Sequence, residues 1–475
     1  MLGALIKKEI QANVLSFRFV AVAALLLIVV PVAVLVLSTD AAKKVDEFSS
    51  RRSGIETYLK SYAHFNRLQN VIQPAQPPLA SYALVRGISS DVNIEEFDDD
   101  PLPVMFPLLD LTFVVAILLS LAALIFSYDA LCGEKEDGTL KLMLANGVPR
   151  AKILLGKIVG GTLTLLVPFL LSLVLGLIVI LLNPRVAWGG SDWAALAVLL
   201  AGAAVYVLFF QVLGVFISAR HQSSSASIMT SLCVWVLFVL VVPNLSPYFA
   251  SLVSPAPSRI KISREVSRLT DVERDDLGKR LAAEKMKELV RQYPALAENL
   301  SEAESKARAE KDPTYKEALQ ARVREVGAAW AEANRIQGAK ADELWGDLRR
   351  KEEAQTKLAG AVSMASPLSD FTFLATDLTS TGLMNERHFK QLSEFWDRVY
   401  GDYVRARTAA LQKQDPAVDW WNSPVDVSDM PRFQYKEEPL ASRIAGTLLP
   451  LGILAGLALL AFAAAFFSFV KYDVR

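Results

Sequence analysis

Six long apolar segments occur along the chain, separated by polar ones. They cover residues 18–37, 108–127, 158–182, 193–217, 226–242 and 441–470. Each is long enough, as a helix, to cross a hydrocarbon core about 30 Å thick. Leu358–Leu378 is also moderately apolar, but Pro367, Asp370 and Asp377 are costly in lipid, so we assign this segment to a soluble core. The pattern predicts an all-α integral membrane protein with six transmembrane helices.

Residues 1–17, before the first apolar segment, have an amphipathic pattern. The apolar positions recur mostly three or four apart, at Leu2, Leu5, Ile6, Ile10, Val14 and Phe17. This spacing predicts a helix that lies in the membrane interface. A signal peptide is the alternative interpretation, because Lys7 and Lys8 precede an apolar run. That run is longer than a usual signal-peptide core, and Thr39-Asp40-Ala41 is a poor cleavage site.

Two polar segments, residues 38–107 and 243–440, are long enough to form structure outside the membrane. In the second, Leu319, Val323, Val326 and Trp330 follow helical spacing. Similar stripes are Val266, Leu269, Val272, Leu277, Leu281 and Leu289, and Phe389, Leu392, Phe395, Val399 and Tyr403. We therefore predict a helical extracytoplasmic domain with these stripes buried, as an intrachain bundle or as a coiled coil with a partner chain.

The first long polar segment contains an acidic run, residues 95–100, with five carboxylates in six positions. Such a run is a solvated charged loop or a set of cation ligands, and nothing in the sequence fixes a ligand geometry. The run therefore predicts no metal site by itself.

Basic residues in the short polar segments are concentrated on one side of the predicted membrane. The two termini and residues 128–157 carry most of them, whereas the short segment 183–192 on the other side contains only Arg185. Because lysine and arginine favour the cytoplasmic side, we expect both termini and residues 128–157 in the cytoplasm. Residues 38–107 and 243–440 are then extracytoplasmic.

Composition and motifs narrow the function classes. The 475 residues are 52% hydrophobic and 21% charged, which fits segregation into membrane spans and polar domains. The net charge of +0 gives no electrostatic argument for nucleic acid, and the two cysteines allow no disulfide framework. The sequence contains no phosphate-binding loop, no zinc motif and no nucleophile elbow. We expect no catalytic residue, no metal site and no cofactor in this chain.

Small residues are frequent in the third and fourth apolar segments. Gly156, Gly160 and Gly161 lie in or beside the third, and Gly214 lies in the fourth. They predict close helix packing, within the chain or across a dimer interface. No series of ionisable residues crosses the membrane, so an ion-coupled carrier or a proton pump is disfavoured. The energy for transport is expected to come from a partner.

Residues 128–157, which we call the connector, form a compact charged segment between the second and third apolar segments. Thr139 follows Gly138 and can cap a helix, and Pro149 can begin the next one. The pattern Glu134-Lys-x-x-Gly138-Thr139-Leu140, then Pro149-Arg150 and Gly156-Lys157, resembles the cytoplasmic coupling region of type-2 ABC exporter permeases, which have the type V exporter fold. One difference is that Asn146-Gly147-Val148 separates the coupling helix from its proline.

A second resemblance extends toward the C-terminus. Ser366-Pro367-Leu368-Ser369, Leu378-Thr379-Ser380-Thr381-Gly382 and Pro431-Arg432-Phe433-Gln434-Tyr435 resemble a subgroup of these permeases. That subgroup carries a large helical ectodomain before its last transmembrane span.

The first resemblance implies roles for connector residues. In that family the segment docks on a separate ATPase subunit. Glu134 is then expected to hold the segment's geometry or pair with a basic group. Gly138 is expected to permit a turn where a Cβ does not fit, Thr139 to cap the helix, and Leu140 and Leu144 to face the ATPase. Pro149 and Arg150 complete the matched set. An ordinary cytoplasmic loop, whose Gly and Thr merely end helices, is the alternative.

These observations together predict the permease subunit of an ATP-driven ABC exporter rather than an enzyme. Two such subunits, identical or paralogous, are expected to pair with two cytoplasmic ATPases that bind ATP and Mg. The main alternative is a mechanotransmitter, whose ectodomain regulates an extracytoplasmic partner without transport. A membrane receptor or scaffold is a third class and leaves the connector motif unexplained. The apolar spans fit lipid, peptide or drug export equally well.

Overall fold

The computed structural model describes residues 1–60, 63–87, 109–298, 300–414, 419 and 421–471. Within these ranges the chain forms helices, short turns and one isolated bridge between Ala63 and Val425, and no strand. Six helices are long and apolar enough to cross a membrane. The prediction of an all-α membrane protein is therefore confirmed. The acidic run 95–100 lies outside the described residues.

The helices are numbered here in chain order. The first nine are α1 (Leu2–Val14), α2 (Phe17–Lys60), α3 (Phe65–Val71), α4 (Leu111–Phe113, the π-helical Val114–Leu119 and Ser120–Ser127), α5 (Cys132–Glu136), α6 (Thr139–Ala145), α7 (Arg150–Leu181), α8 (Gly190–Arg220) and α9 (Ser224–Trp235, the π-helical Val236–Val241 and Val242–Val253). The others are α10 (Arg259–Ser267, the π-helical Arg268–Glu273 and Arg274–Gln292), α11 (Glu302–Lys311), α12 (Pro313–Ser363), α13 (Pro367–Leu378), α14 (Leu383–Gln414) and α15 (Leu440–Val470).

The chain divides into two compact units. One consists of Met1–Pro243 and Ser363–Arg475, and the other of Asn244–Val362. The first unit, the membrane unit, contains a large apolar core built by α2, α4, α7, α8, α13 and α15, together with part of α9. We call its end at residues 128–157 the connector end and the other end the distal end.

Helix α2 is much longer than the apolar run that begins it. The run of residues 18–37 is followed, without interruption, by a polar helical extension to Lys60. At 1.5 Å per residue, this extension reaches about 34 Å beyond Leu37. It packs at the distal end with α3 and α14 around Leu59, Phe65 and Trp396.

Helix α13 packs into the same apolar core as the membrane helices. Phe371, Leu374 and Leu378 are fully buried there, and the Phe371 ring lies 5.1 Å from that of Tyr206 in α8. The assignment of this segment to a separate soluble core is therefore wrong. The segment has an apolar face that packs against α8. Gly202 of α8 has no side chain and therefore leaves space for Leu374.

Arg443 of α15 holds the C-terminal end of α13. Its guanidinium, almost fully buried, donates to the carbonyl oxygen of Leu378 at 3.2 Å and to Ser380 Oγ at 3.1 Å. Ser380 has a positive φ of 55°, which ends the helix. A cation at a helix C-terminus interacts favourably with the helix dipole.

The second unit, residues 244–362, is helical. Its core is not formed by the large apolar residues that the predicted stripe contains. The buried side chains include Leu289, Tyr315 and the small residues Ala318, Ala321, Ala329 and Ala333. Val323 is 70% exposed, and Trp330 is only partly buried above Gly278. The predicted stripe through Val323 is therefore wrong in register. Small side chains let two helices approach closely, so alanines take the buried face.

The other two predicted stripes are also only partly buried. Leu269 and Leu289 are buried, but Val272 is exposed. In α14 Phe395 is exposed, and the neighbouring Trp396 is buried and stacks on Tyr400 with ring centroids 5.1 Å apart. A shift of one position along a helix rotates the side chain by 100° about the helix axis. This rotation explains why the predicted stripe contains the exposed Phe395 and not the buried Trp396.

Candidate functional site

The connector forms two short helices, α5 and α6, joined by a tight turn. Gly138 makes that turn with a φ of +71°, a conformation that residues with a Cβ rarely adopt. A Cβ added there meets nothing within 4 Å, so the backbone conformation and not lack of space requires glycine. The structure makes Gly138 the residue that precedes α6. Thr139 begins the helix, and no side chain caps it.

Leu140 anchors α6 to the membrane unit. Its side chain is 1% exposed and packs in a cluster with Leu131, Ile153, Leu154 and Phe469. The structure thus corrects the expectation that Leu140 faces a partner. Leu144 is partly buried against the same cluster. The large apolar side chain that α6 presents to the outside is Leu142, 66% exposed.

A buried ion cluster joins the connector to α1 and α7. Lys157 Nζ lies 2.9 Å from Glu134 Oε1 and 3.4 Å from Glu9 Oε2. The lysine side chain is 7% exposed, and the two carboxylate side chains are less than a fifth exposed. Burial raises the pKa of the Glu9 carboxyl, an effect that the nearby Lys157 opposes. The structure therefore places Glu134 against a basic group.

Three polar contacts attach the connector to the junction of α8 and α9. Ser218 Oγ accepts hydrogen bonds from the backbone N–H groups of Leu131 and Cys132, both at 2.9 Å. Lys135 Nζ donates to the carbonyl oxygen of Ala219 at 2.6 Å, near the end of α8. The Glu136 carboxylate accepts from Ser224 N–H at 3.0 Å, at the start of α9.

The motif search gave none of these three side chains a role, although Lys135 lies inside the matched pattern. Lys135 lies beside the C-terminal end of α8, where the helix dipole is negative, and Glu136 lies beside the N-terminal end of α9, where the dipole is positive. Both side chains therefore stabilise the helix end beside them. The only signal in the sequence is that polar residues interrupt the apolar pattern near position 218.

Two further arginines attach the connector end to neighbouring helices. Arg18 of α2 pairs with Asp129 at 2.8 Å, and its guanidinium lies 4.9 Å from the centre of the Tyr128 ring. Arg150, at the start of α7, donates to the carbonyl oxygen of Phe469 at 3.1 Å and also to that of Val470, where α15 ends. Pro149 precedes α7 in an extended conformation.

The four glycines singled out for packing all lie at close approaches within the chain. A Cβ added at Gly156 lies 3.0 Å from Leu5 Cβ, and one at Gly160 lies 2.7 Å from Glu9 Cβ, so both face α1. A Cβ at Gly161 lies 1.9 Å from Gln211 Nε2 of α8. One at Gly214 lies 1.9 Å from Ser127 Oγ of α4. Glycine at these positions allows α7 to pack against α1 and α8, and α8 against α4.

The outer surface of the connector contains a shallow groove of about 480 Å³. Its lining residues are Lys141, Leu144, Ala145, Gly147, Val148, Pro149 and Arg150. Leu142 and Lys141 are exposed beside it on α6. The groove is thus apolar at its base and basic at its rim, while the buried side of the same segment is firmly attached to the bundle. In the part of the chain that the structure describes, no group of three or more His, Cys, Asp or Glu side chains forms a metal site.

With six membrane-spanning helices, the molecule is a multi-pass membrane protein. Residues 3–474 match the family described as "ABC-2 family transporter protein", and the chain belongs to this family.

Two curated relatives resemble part of the chain. It is 36% identical over 132 residues to the "Probable ABC transporter permease protein NosY" of Stutzerimonas stutzeri. It is 32% identical over 132 residues to the protein of the same name from Pseudomonas aeruginosa. Each match covers 28% of this chain and 48% of the relative, so the chain spans about half the length of the curated relatives it matches. The similarity supports a permease-type ABC subunit.

Proposed function

We propose that the chain is the permease subunit of an ATP-driven exporter and that the connector transmits movements of a separate cytoplasmic ABC ATPase to the membrane helices. A complete complex contains two permease subunits and two ATPases, and the ATPases bind ATP and Mg. The observation that carries this proposal is that the connector has one attached side and one exposed side. One side is fixed to six helices, and the other offers an exposed groove.

The attachments of the connector support transmission of movement. The Lys157 cluster links it to α1 and α7, Ser218 and Lys135 link it to α8, and Glu136 links it to α9. Leu140 adds apolar contacts, in a cluster that includes Phe469 of α15. A displacement of α6 therefore moves several helix ends together, and a packed core with two discrete arrangements converts that displacement into a change of access.

The docking face is assigned to Leu142, Lys141 and the groove beside them. Leu142 and the apolar lining of the groove, together with Lys141 and Arg150, form an apolar surface beside basic side chains, and protein interfaces bury such an apolar centre within a polar rim. Replacement of Leu142 by Asp is expected to reduce co-purification with the ATPase and ATPase stimulation by at least tenfold. Val323→Asp is the matched control, because Val323 is equally exposed in the other unit. Equal ATPase binding and stimulation by the two variants contradict the docking assignment.

The orientation is part of the proposal and can be tested by single-cysteine labelling. In a Cys132→Ser/Cys233→Ser background, Lys141→Cys is expected to react with a membrane-impermeant maleimide only after the cells are opened. Arg324→Cys is expected to react in intact cells, because residues 244–362 are placed outside. Labelling of position 141 in intact cells excludes the proposed topology.

A mechanotransmitter is the second candidate function, and helix α12 favours it. The helix contains 51 residues in one continuous stretch and is therefore about 77 Å long. A rod of this length suits the transfer of force to an extracytoplasmic partner. The two functions differ in one measurement: a mechanotransmitter changes the activity of its partner during ATP turnover while no substrate is taken up into inverted vesicles or into proteoliposomes whose ATPases face outward.

A further inference from the structure

The distal end of the membrane unit contains a cavity of about 360 Å³ that the proposed function does not use. The polar extension of α2 forms one wall, the segment after α3 a second, and the segment before α15 a third. The residues that line it are Phe48, Arg51, Arg52, Ile55, Glu56, Ile72, Gln73, Ala75, Pro77, Arg432, Phe433, Gln434 and Tyr435. We call it the distal cavity.

The charges of the distal cavity are unbalanced. Arg432 is neutralised, because its Nε donates to Glu56 Oε1 at 3.1 Å. Arg51 and Arg52 are exposed at the opening, and neither forms an ion pair with another described residue. Among the described residues of the lining, Glu56 is the only acidic one. These described residues therefore carry a net charge of about +2 at neutral pH, counted from Arg and Glu side chains.

The remaining lining is apolar and aromatic. Phe48 and Ile55 of α2 face Phe433 and Tyr435 across the cavity opening. The Tyr435 hydroxyl donates to Asn385 Oδ1 at 2.7 Å, which fixes its ring. The volume lies within the range of about 300–1,000 Å³ that is typical of small-molecule sites. A few charged groups beside an apolar wall are also typical of such sites.

The position of the cavity excludes a lipid headgroup in the bilayer as its ligand. Ser38 marks the distal end of the membrane bundle, since its carbonyl oxygen accepts from Asn183 Nδ2 at 3.1 Å just beyond α7. Arg51 lies further along the same uninterrupted helix, about 20 Å beyond Ser38 at 1.5 Å per residue. The headgroup layer on each side is only about 5–8 Å thick.

We propose that the distal cavity binds a small, soluble, amphipathic anion. Its acidic group pairs with Arg51 and Arg52, and its apolar body lies between Ile55 and Phe433. Guanidinium groups bind carboxylate and phosphate in the same bidentate manner, so both acidic groups fit. A smaller cavity of about 150 Å³ shares Pro77 and Tyr435's partner Asn385 with this region, and its lining adds two basic residues, Lys44 and Arg86, and one acidic residue, Glu386.

The test uses the full-length protein in dodecyl maltoside and three fluorescent probes with the same apolar group. Dansyl-glutamate and dansyl-O-phosphoserine are anionic, and dansylamide is neutral. Polarisation is measured against micelles without protein. At least one anionic probe is expected to bind at least tenfold more tightly than dansylamide, and comparison of the two anionic probes identifies the preferred acidic group.

The variants locate the binding. The double variant Arg51→Gln/Arg52→Gln is expected to weaken binding of the anionic probe at least tenfold, and Ile55→Asp is expected to weaken it by a similar factor. Arg67→Gln is the control, because Arg67 is an exposed arginine of α3 outside the cavity lining. Thermal unfolding shows whether each variant is folded. Equal binding of the neutral probe, no binding of either anionic probe, or unchanged binding by the folded double variant overturns the proposal.

Discussion

Lys157 Nζ and Glu134 Oε1 are 2.9 Å apart in a nearly solvent-free pocket at the connector end. A second carboxylate, that of Glu9, lies 3.4 Å from the same Nζ atom. The cluster therefore holds one buried cation between two anions, and the exposed Lys8 adds a longer contact of 3.9 Å to Glu134 Oε1. We expect the members to contribute unequally to stability.

Removal of the cation is expected to be the more damaging change. Lys157→Met leaves Glu134 and Glu9 buried without their shared partner, and we expect a loss of about 3–5 kcal/mol. Glu134→Gln leaves Lys157 paired with Glu9 and is expected to cost less. Thermal unfolding of the purified protein measures both changes. Lys152→Met, at an exposed position on the same helix, is the control. A smaller loss for Lys157→Met than for Glu134→Gln contradicts this account.

Ser218→Ala tests the attachment of the connector to α8. Two buried backbone N–H groups, those of Leu131 and Cys132, lose their acceptor. An unsatisfied buried polar group costs about 1–3 kcal/mol. Hydrogen exchange of these two amides is expected to accelerate, while Ser225→Ala, at an exposed position in α9, leaves them protected. Unchanged exchange in Ser218→Ala shows that the attachment lies elsewhere.

Tyr206→Phe tests the π-helical turn in α4. The Tyr206 hydroxyl donates to the carbonyl oxygen of Ala116 at 2.8 Å, and Ser120 Oγ donates to the same oxygen at 2.6 Å. Wider π-helical turns leave backbone groups in need of such partners. Because Ser120 remains, we expect a modest loss of about 1 kcal/mol in thermal unfolding. Tyr248→Phe, at an exposed tyrosine, is expected to have no effect.

Two glycines of the second unit provide a matched comparison. A Cβ at Gly278 lies 2.4 Å from Cε3 of Trp330, whereas one at Gly327 meets nothing within 4 Å. Ala is about 1 kcal/mol better than Gly in a helix interior. Gly327→Ala is therefore expected to stabilise this unit, and Gly278→Ala to destabilise it by about 1–3 kcal/mol through overpacking. Hydrogen exchange over residues 244–362 in the full chain measures both. Stabilisation by Gly278→Ala shows that the Trp330 ring moves freely.

The sequence was sufficient to predict the features that depend on the average composition and periodicity of long segments. The six membrane helices follow from runs of apolar residues, and the helical class of residues 244–362 follows from period and composition. The sequence did not show which face of each helix is buried. Leu140 and Val323 are both apolar, yet Leu140 is buried and Val323 is exposed. Which apolar side chain is buried depends on the neighbouring helix, and local spacing contains no information about that neighbour.

The connector shows the same division between local and distant information. Gly138 was predictable as a turn because positive φ is a property of one residue. The contacts of Ser218 and Lys157 join positions more than twenty residues apart, and polar side chains of ordinary types make them. Only a folded chain brings those positions together.

Helix α2 runs as one continuous helix between the two ends of the membrane unit. Arg18, which pairs with Asp129 at the connector, and Arg51, in the wall of the distal cavity, lie on one helix about 50 Å apart along its axis. Pro31 lies between them inside the helix, where it removes one backbone hydrogen bond and makes bending easier. A bend at Pro31 changes the angle between the ends. If binding at one end favours one bend of α2, linkage requires that binding at the other end responds by the same factor.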